Sequence, residues 1–149
     1  STSNVLLYGH MDKMPFGDGW ETEPCDPVIK NGFLLGRGSS DDGYAFFSAL
    51  LAIKACQMTG RQHPRCVITI EGMEEGGDTR DLRYYLETYK HLIGDPNLVI
   101  CLDAGGLSHD TLNITSSLRG SVKFDLSAKV ASNNMHSGMA SGIVPNPFN

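Results

Sequence analysis

His10-Met11-Asp12 sets an imidazole and a carboxylate two residues apart, so in an extended segment both side chains leave the same face of the chain. An acid in that position can accept the second ring N–H of the histidine, fixing its tautomer and raising its basicity, as at metal-bound histidines. Three further acidic groups stand beside glycines: Asp41-Asp42 after Gly36-Arg37-Gly38-Ser39-Ser40, Glu74-Glu75 between Gly72 and Gly76, and Asp103 before Ala104-Gly105-Gly106. Singly, each has an ordinary alternative, namely a surface histidine, an acid capping a helix N-terminus, or a solvated loop acid. Their common placement argues for more.

The elements that must carry them can be read from periodicity. Residues 5–8 form a short apolar run ending at Gly9, as expected of a strand covered on both faces, and His10 follows at its carboxyl end. Residues 15–38 are rich in Gly, Pro and Asp and read as loop, with a hairpin about Asn31-Gly32. Apolar positions Ala45, Phe46, Ala49, Leu50, Ile53 and Cys56 recur at helical spacing, predicting a packed helix over 42–58 that stops at Gly60. Residues 66–70 give a second strand, with Glu74-Glu75 just after it. A helix capped by Asp78 or Thr79 follows to about residue 89, its inner stripe Leu82, Tyr85, Leu86 and Tyr89. Residues 98–102 are a third strand ending at Asp103. Alternating strands and helices make an α/β fold, in which sites form at the carboxyl edge of the sheet. One imidazole and several carboxylates then share that edge, where like charges within a few Å are costly unless compensated. Metal ions compensate them, and N and O donors without thiolates suit zinc, manganese or cobalt in a catalytic site.

Beyond Asn113 the texture changes. Val122, Phe124, Leu126 and Ala128 alternate with polar residues, predicting a half-exposed antiparallel strand over 122–130. A domain boundary is placed there, giving 1–118 and 119–149.

With 149 residues, 40% of them hydrophobic, the chain is long enough to bury a core. A net charge of −5 without a basic cluster argues against nucleic acid as a partner, and no run approaches the ~20 apolar residues of a membrane span. Four cysteines, none in a CxxC pair, are too few for a disulfide scaffold and favour a reducing, cytoplasmic setting. Neither Ser1-Thr2-Ser3-Asn4 nor Val144-Pro145-Asn146-Pro147-Phe148-Asn149 reads as a natural terminus, so an internal fragment of a longer protein is expected.

Gly9-His10-Met11-Asp12, Gly36 to Asp42, Glu71-Gly72-Met73-Glu74-Glu75 and Leu102-Asp103 resemble, in order and spacing, the successive motifs of the M20 metallopeptidases of carnosinase-like dipeptidase type. Trp20 to Pro24 and Met135-His136-Ser137-Gly138 resemble further phrases of that family. The resemblance implies a zinc-exopeptidase-like mixed sheet flanked by helices, followed by the start of an α+β lid domain through which members dimerise. It implies two divalent ions per site, zinc or manganese with cobalt as a third option. His10 and Asp103 would hold one ion, Glu75 the second, and Asp41 would bridge them across a cis Asp41–Asp42 peptide. Asp12 would orient His10, and Glu74 would act as general base and acid in hydrolysing dipeptides or short peptides. His136 would steady the oxyanion in the site of a partner subunit. An N-acyl amino acid deacylase and a non-catalytic relative are the competing readings. Two departures stand out. The family's usual lysine after the Asp-Asp pair is Gly43 here, and its last metal ligand, a distant downstream histidine, is matched by none of His63, His91 or His109. By itself this chain is therefore expected to bind at most one ion tightly and to be inactive.

Overall fold

In the computed structural model, which describes residues 3–106, 108 and 110–147, the chain folds as two units, Ser1–Ile114 and Thr115–Asn149. The first is an α/β unit around a parallel sheet. Its strands are β1 (Asn4–His10), β4 (Arg65–Glu71) and β5 (Leu98–Cys101), in the order β4-β1-β5. The apolar run of β1 suits the central place, because both its neighbours pair with it in parallel: Val5 lies opposite Cys66 and Leu98, and Tyr8 opposite Thr69 and Cys101. The ladder runs on past the strand ends, with Met11 N–H donating to Glu71 O (2.8 Å) and Leu102 N–H to Tyr8 O (3.0 Å). The three chain exits that carry the acidic motifs are thereby held side by side.

Between β1 and β4 runs helix α1 (Tyr44–Met58). Leu6, Leu7, Ala45 and Ala49 are the buried apolar residues, so α1 rests on the sheet through its small side chains. The expected apolar stripe is only half met: Phe46 and Leu50 are exposed, because a close approach at Gly9 selects the alanine face of the helix. The predicted hairpin is present as β2 (Val28–Lys30) and β3 (Phe33–Leu35), and Asn31 (φ 54°) and Gly32 (φ 82°) supply the two positive φ angles of a tight hairpin turn.

Helix α2 (Arg80–Thr88) leads into a short α3 (Lys90–Ile93) that the periodicity does not reveal. The stripe Leu82, Tyr85, Leu86, Tyr89 is not an inner face here. None of the residues of α2 is buried, and Tyr85 and Tyr89 stack on each other at 6.0 Å instead. At the sheet's amino edge, Asn4 Nδ2 donates to Ile93 O (2.7 Å), and Arg65 Nη1 donates to both Asn4 Oδ1 and Ile93 O (2.9 Å each). That staple fixes the end opposite the acidic motifs.

In the second unit the described residues contain one short helix, α4 (Ser137–Ala140). The strand predicted over 122–130 is not formed. Val122, Phe124 and Leu126 are exposed and no described residue pairs with that segment; an alternating pattern becomes a strand only where another strand accepts its N–H and C=O groups. No helix among the described residues is long and apolar enough to cross a membrane.

Candidate functional site

His10 closes β1 and is almost fully buried, at 2% exposure. Its ring spans two acidic groups. Nδ1 lies 3.1 Å from Asp12 O and 3.4 Å from Asp12 Oδ1, while Nε2 lies 3.1 Å from Asp41 Oδ1 and 3.7 Å from Asp103 Oδ1. When Nδ1 donates its proton to Asp12 O, the Nε2 lone pair points at two carboxylate oxygens. Lone pairs facing one another repel unless a proton or cation sits between them. Burial works against the charged imidazole, but Asp103, Asp41 and the Asp12 carbonyl outweigh it and raise its pKa.

Asp12 reaches across the sheet edge. Its Oδ1 accepts from Glu74 N–H (3.2 Å) and its Oδ2 from Glu75 N–H (3.0 Å), which fixes the loop after β4 against the exit of β1. Partial burial opposes its ionisation, yet these amides and His10 hold the carboxyl below its usual range. Two neighbours move the other way. Burial first, then Asp103 and Glu75, raise Glu74; burial first, then Asp41, Asp42 and Glu75, raise Asp103. A carboxylate cluster that raises its own pKa values is one a divalent cation would relieve. Possible ligand atoms fall into two sets, His10, Asp42, Asp103 and His10, Asp41, Glu75, each within 4.8 Å of one another. The donors are imidazole and carboxylate, which fits zinc or manganese.

The adjacent aspartates differ sharply. Asp42 is fully buried, and its carboxylate is used up by the backbone: Oδ2 accepts from His10 N–H (3.0 Å), and Oδ1 from Gly43 N–H (2.6 Å) and Ala45 N–H (3.2 Å). It is the capping acid of the pair and bolts α1 to β1. Asp41, with a side chain 68% exposed, is the one free to serve a cation. Gly9 leaves the necessary room, because a Cβ there would stand 2.6 Å from Asp42 Oδ2. The cis peptide expected between these residues is not found, as all described peptide bonds are trans. Trans is the cheaper form, and the corner is set by the hydrogen bonds of Asp42.

Sequence reasoning passed over two groups at this edge. Glu71, 6% exposed, accepts the Tyr8 hydroxyl at 2.5 Å through Oε2, while Oε1 is buried without a partner. Burial, then this hydrogen bond and the Glu71 charge, push the Tyr8 phenol well up. Lys13 donates to backbone carbonyls on both sides of the site. Glu71 opens the Glu71–Glu75 motif without a role of its own being read from it, and only the sheet register sets it opposite His10; Lys13 follows directly after the His10–Asp12 motif.

Two cavities flank the acids. One, of about 720 Å³, is lined by Asp41, Asp103, Tyr44, Gly105 and Gly106. The other, of about 680 Å³, runs from Trp20 and Arg37 to Asp41. Its wall is braced by Arg37, which lies 5.1 Å from the Trp20 ring centre and donates to Pro15 O (2.9 Å) and Phe16 O (3.0 Å). Such clefts of 300 to 1,000 Å³ are the size that takes a small ligand.

The remaining histidines stand elsewhere. In the second unit, His136 Nδ1 accepts from Gly138 N–H (3.1 Å) and caps α4. His63 bonds Gln57, His91 lies against Tyr89, and neither enters a ligand set; His109 is outside the described residues.

Among curated proteins, the chain is 31% identical to the Cys-Gly metallodipeptidase DUG1 of Saccharomyces cerevisiae, over 99% of this chain and 32% of that protein. It is also 31% identical to the human Beta-Ala-His dipeptidase, over 97% of this chain and 29% of that one. It thus spans about a third of the length of the curated relatives it matches. The crystal structure of human carnosine dipeptidase 1 superposes with a TM-score of 0.58 at 27% identity, over 68% of this chain and 22% of that one. The profile of peptidase family M20/M25/M40 matches residues 6–142, and the chain belongs to that family.

Proposed function

We propose that the protein to which these residues belong hydrolyses the peptide bond of dipeptides or short peptides at a two-metal site. The observation that carries the reading is the buried imidazole of His10, with Nε2 turned to Asp41 and Asp103 and Nδ1 to Asp12. His10 and Asp103 would hold one divalent ion, Glu75 the other, and Asp41 would serve both; zinc and manganese suit these donors. Ions bound there supply Lewis acidity, which lowers the pKa of an attacking water and polarises the scissile carbonyl.

The chain's own residues do the rest. Asp12 holds the His10 tautomer and the Glu74-Glu75 loop together. Glu74, whose pKa is raised by burial and by Asp103 and Glu75, takes a proton from the attacking water and returns it to the leaving amine. Tyr44, whose pKa is raised by burial and by the charges of Asp42 and Asp103, lines the cavity beside Asp41 and offers a hydroxyl donor there. Residues 1–118 are read as catalytic and 119–149 as the opening of a lid, whose His136 steadies the oxyanion at a partner's site in a homodimer. The four unpaired cysteines suit a cytoplasmic protein.

The test is metal content of the intact protein together with a panel of dipeptides and N-acyl amino acids. Two ions per chain and dipeptide cleavage are expected. Cleavage of N-acyl amino acids alone would transfer the site to a deacylase, metal uptake with neither activity would indicate a binding relative, and absence of metal would overturn the reading.

A further inference from the structure

The ammonium of Lys13 lies where two segments of the site meet. Nζ donates to Met11 O (2.8 Å) and Asp12 O (3.1 Å) at the exit of β1, and to Asp42 O, 29 residues further on, at the corner before α1. An ammonium has three N–H donors, so all three are spent on backbone carbonyls. One of those carbonyls, Asp12 O, is also the group facing His10 Nδ1 at 3.1 Å. Both flanking glycines make this arrangement possible. Gly38 has φ +82°, and a Cβ there would stand 2.6 Å from Lys13 Cε, in the path of the lysine stem. At position 43 a Cβ would stand 2.8 Å from Gly38 O, so this backbone leaves no space for a side chain directly after the Asp-Asp pair. A cation can reach this corner from position 13 and not from position 43.

We propose that Lys13 is a positioning residue: by gathering the Met11, Asp12 and Asp42 carbonyls it fixes the distance between His10 and Asp41, and with it the affinity of the site for a divalent ion. The inference rests on the metal-site reading above. Among the described residues the Asp41 carboxylate itself meets only His10, so its place is set through its neighbour: the Asp42 carboxylate ties the corner to the His10 amide, and Lys13 ties the Asp42 carbonyl to the exit of β1. Removing the cation frees the corner to move away from β1, although the sheet ladder and the Asp42 carboxylate remain in place.

The test uses zinc alone as the probe, titrated into metal-free intact protein against a chromogenic chelator, for wild type, Lys13→Met and Lys13→Arg. Loss of a residue that orients ligands typically costs 10- to 100-fold in metal affinity, and a loss of about that size is expected for Lys13→Met. Its far-UV circular dichroism and its unfolding midpoint in chelator should stay close to wild type, which separates positioning from a general structural role. Lys13→Arg, which keeps charge and donors, should recover most of the loss. If Lys13→Met fails to fold, Lys13→Gln, with a donor of shorter reach, carries the same comparison. Zinc affinity in the methionine or glutamine variant within about twofold of wild type would overturn the proposal, measured against the 10- to 100-fold expected. So would an arginine variant as weak as the methionine one. Should wild type take up no zinc, the metal reading and this proposal fall together; should wild type bind and the variants match it, only the proposal falls.

Discussion

Asp42→Ala tests the division of labour between the two adjacent aspartates. The Asp42 carboxylate is fully buried and accepts three backbone N–H groups, of which those from His10 and Ala45 are themselves buried. Truncation orphans these two buried donors. Each unsatisfied buried donor costs about 1–3 kcal/mol, so the pair should cost about 2–6 kcal/mol. Set against the total of about 5–15 kcal/mol for a folded domain, that is a large fraction. Asp42→Asn keeps the shape and one oxygen but turns an NH₂ toward an N–H group, and should lose about 1–3 kcal/mol. Asp41→Ala is the control: its side chain is 68% exposed and supports no backbone amide, so stability in chelator should change by no more than about 0.5 kcal/mol. The assay is urea unfolding of the intact protein in chelator at pH 7, with amide hydrogen exchange read at His10 and Ala45. Stability should fall in the order wild type, Asn, Ala at position 42, with faster exchange at both amides. Equal stability of the Asp42→Ala and Asp41→Ala variants, or unchanged exchange at His10, would refute the assignment of Asp42 as the bolt.

Three further outcomes follow from the same geometry. Glu74→Gln should lower turnover of the intact enzyme by about 10²- to 10⁴-fold with metal content unchanged, checked by steady-state kinetics beside elemental analysis. Asp12→Asn should speed hydrogen exchange at Glu74 and Glu75, whose amides the carboxylate holds. Because the folded carboxyl titrates below its unfolded value, its stabilisation is complete above the ordinary aspartate range and fades as pH falls through the folded pKa; in the variant that part of the acid dependence of unfolding should vanish. Tyr8→Phe should destabilise the metal-free protein by about 1–3 kcal/mol, because Glu71 then has no partner at all, and Tyr8→Phe with Glu71→Leu should recover much of that loss in urea unfolding.

What could be read from the chain divides along physical lines. Strands β1, β4 and β5 and the hairpin about Asn31-Gly32 were legible because each is specified locally, by a short apolar run or by a dipeptide that tolerates positive φ. The approach of His10 and Asp103 followed from the strand ends, since a parallel sheet brings its carboxyl edge to one line, whereas Asp41 reaches the same imidazole from the loop before α1. Residues 122–130 mark the limit of such reasoning: alternation records which face a segment would show to a neighbour, and no described residue is there to be that neighbour. Helix α2 fails in the same way, its apolar stripe being a property of the helix and its burial a property of whatever packs upon it.

The site shows a finer limit, which lies between residues of one type. In Asp41-Asp42 the sequence offers two identical carboxylates, and either could cap a helix or serve a cation. What separates them is the direction of the peptide as it turns into α1. The second carboxylate points back under the helix start, toward the N–H groups of His10, Gly43 and Ala45, and the first is left to face the imidazole. The glycine beside them completes the selection. Gly9 has no side chain, so Asp42 can approach β1 closely enough to reach the His10 amide, and the same approach sets the alanine face of α1 on the sheet. The geometry of the acidic cluster thus depends on small residues outside it, through a close contact of helix and strand that no spacing of acids can encode.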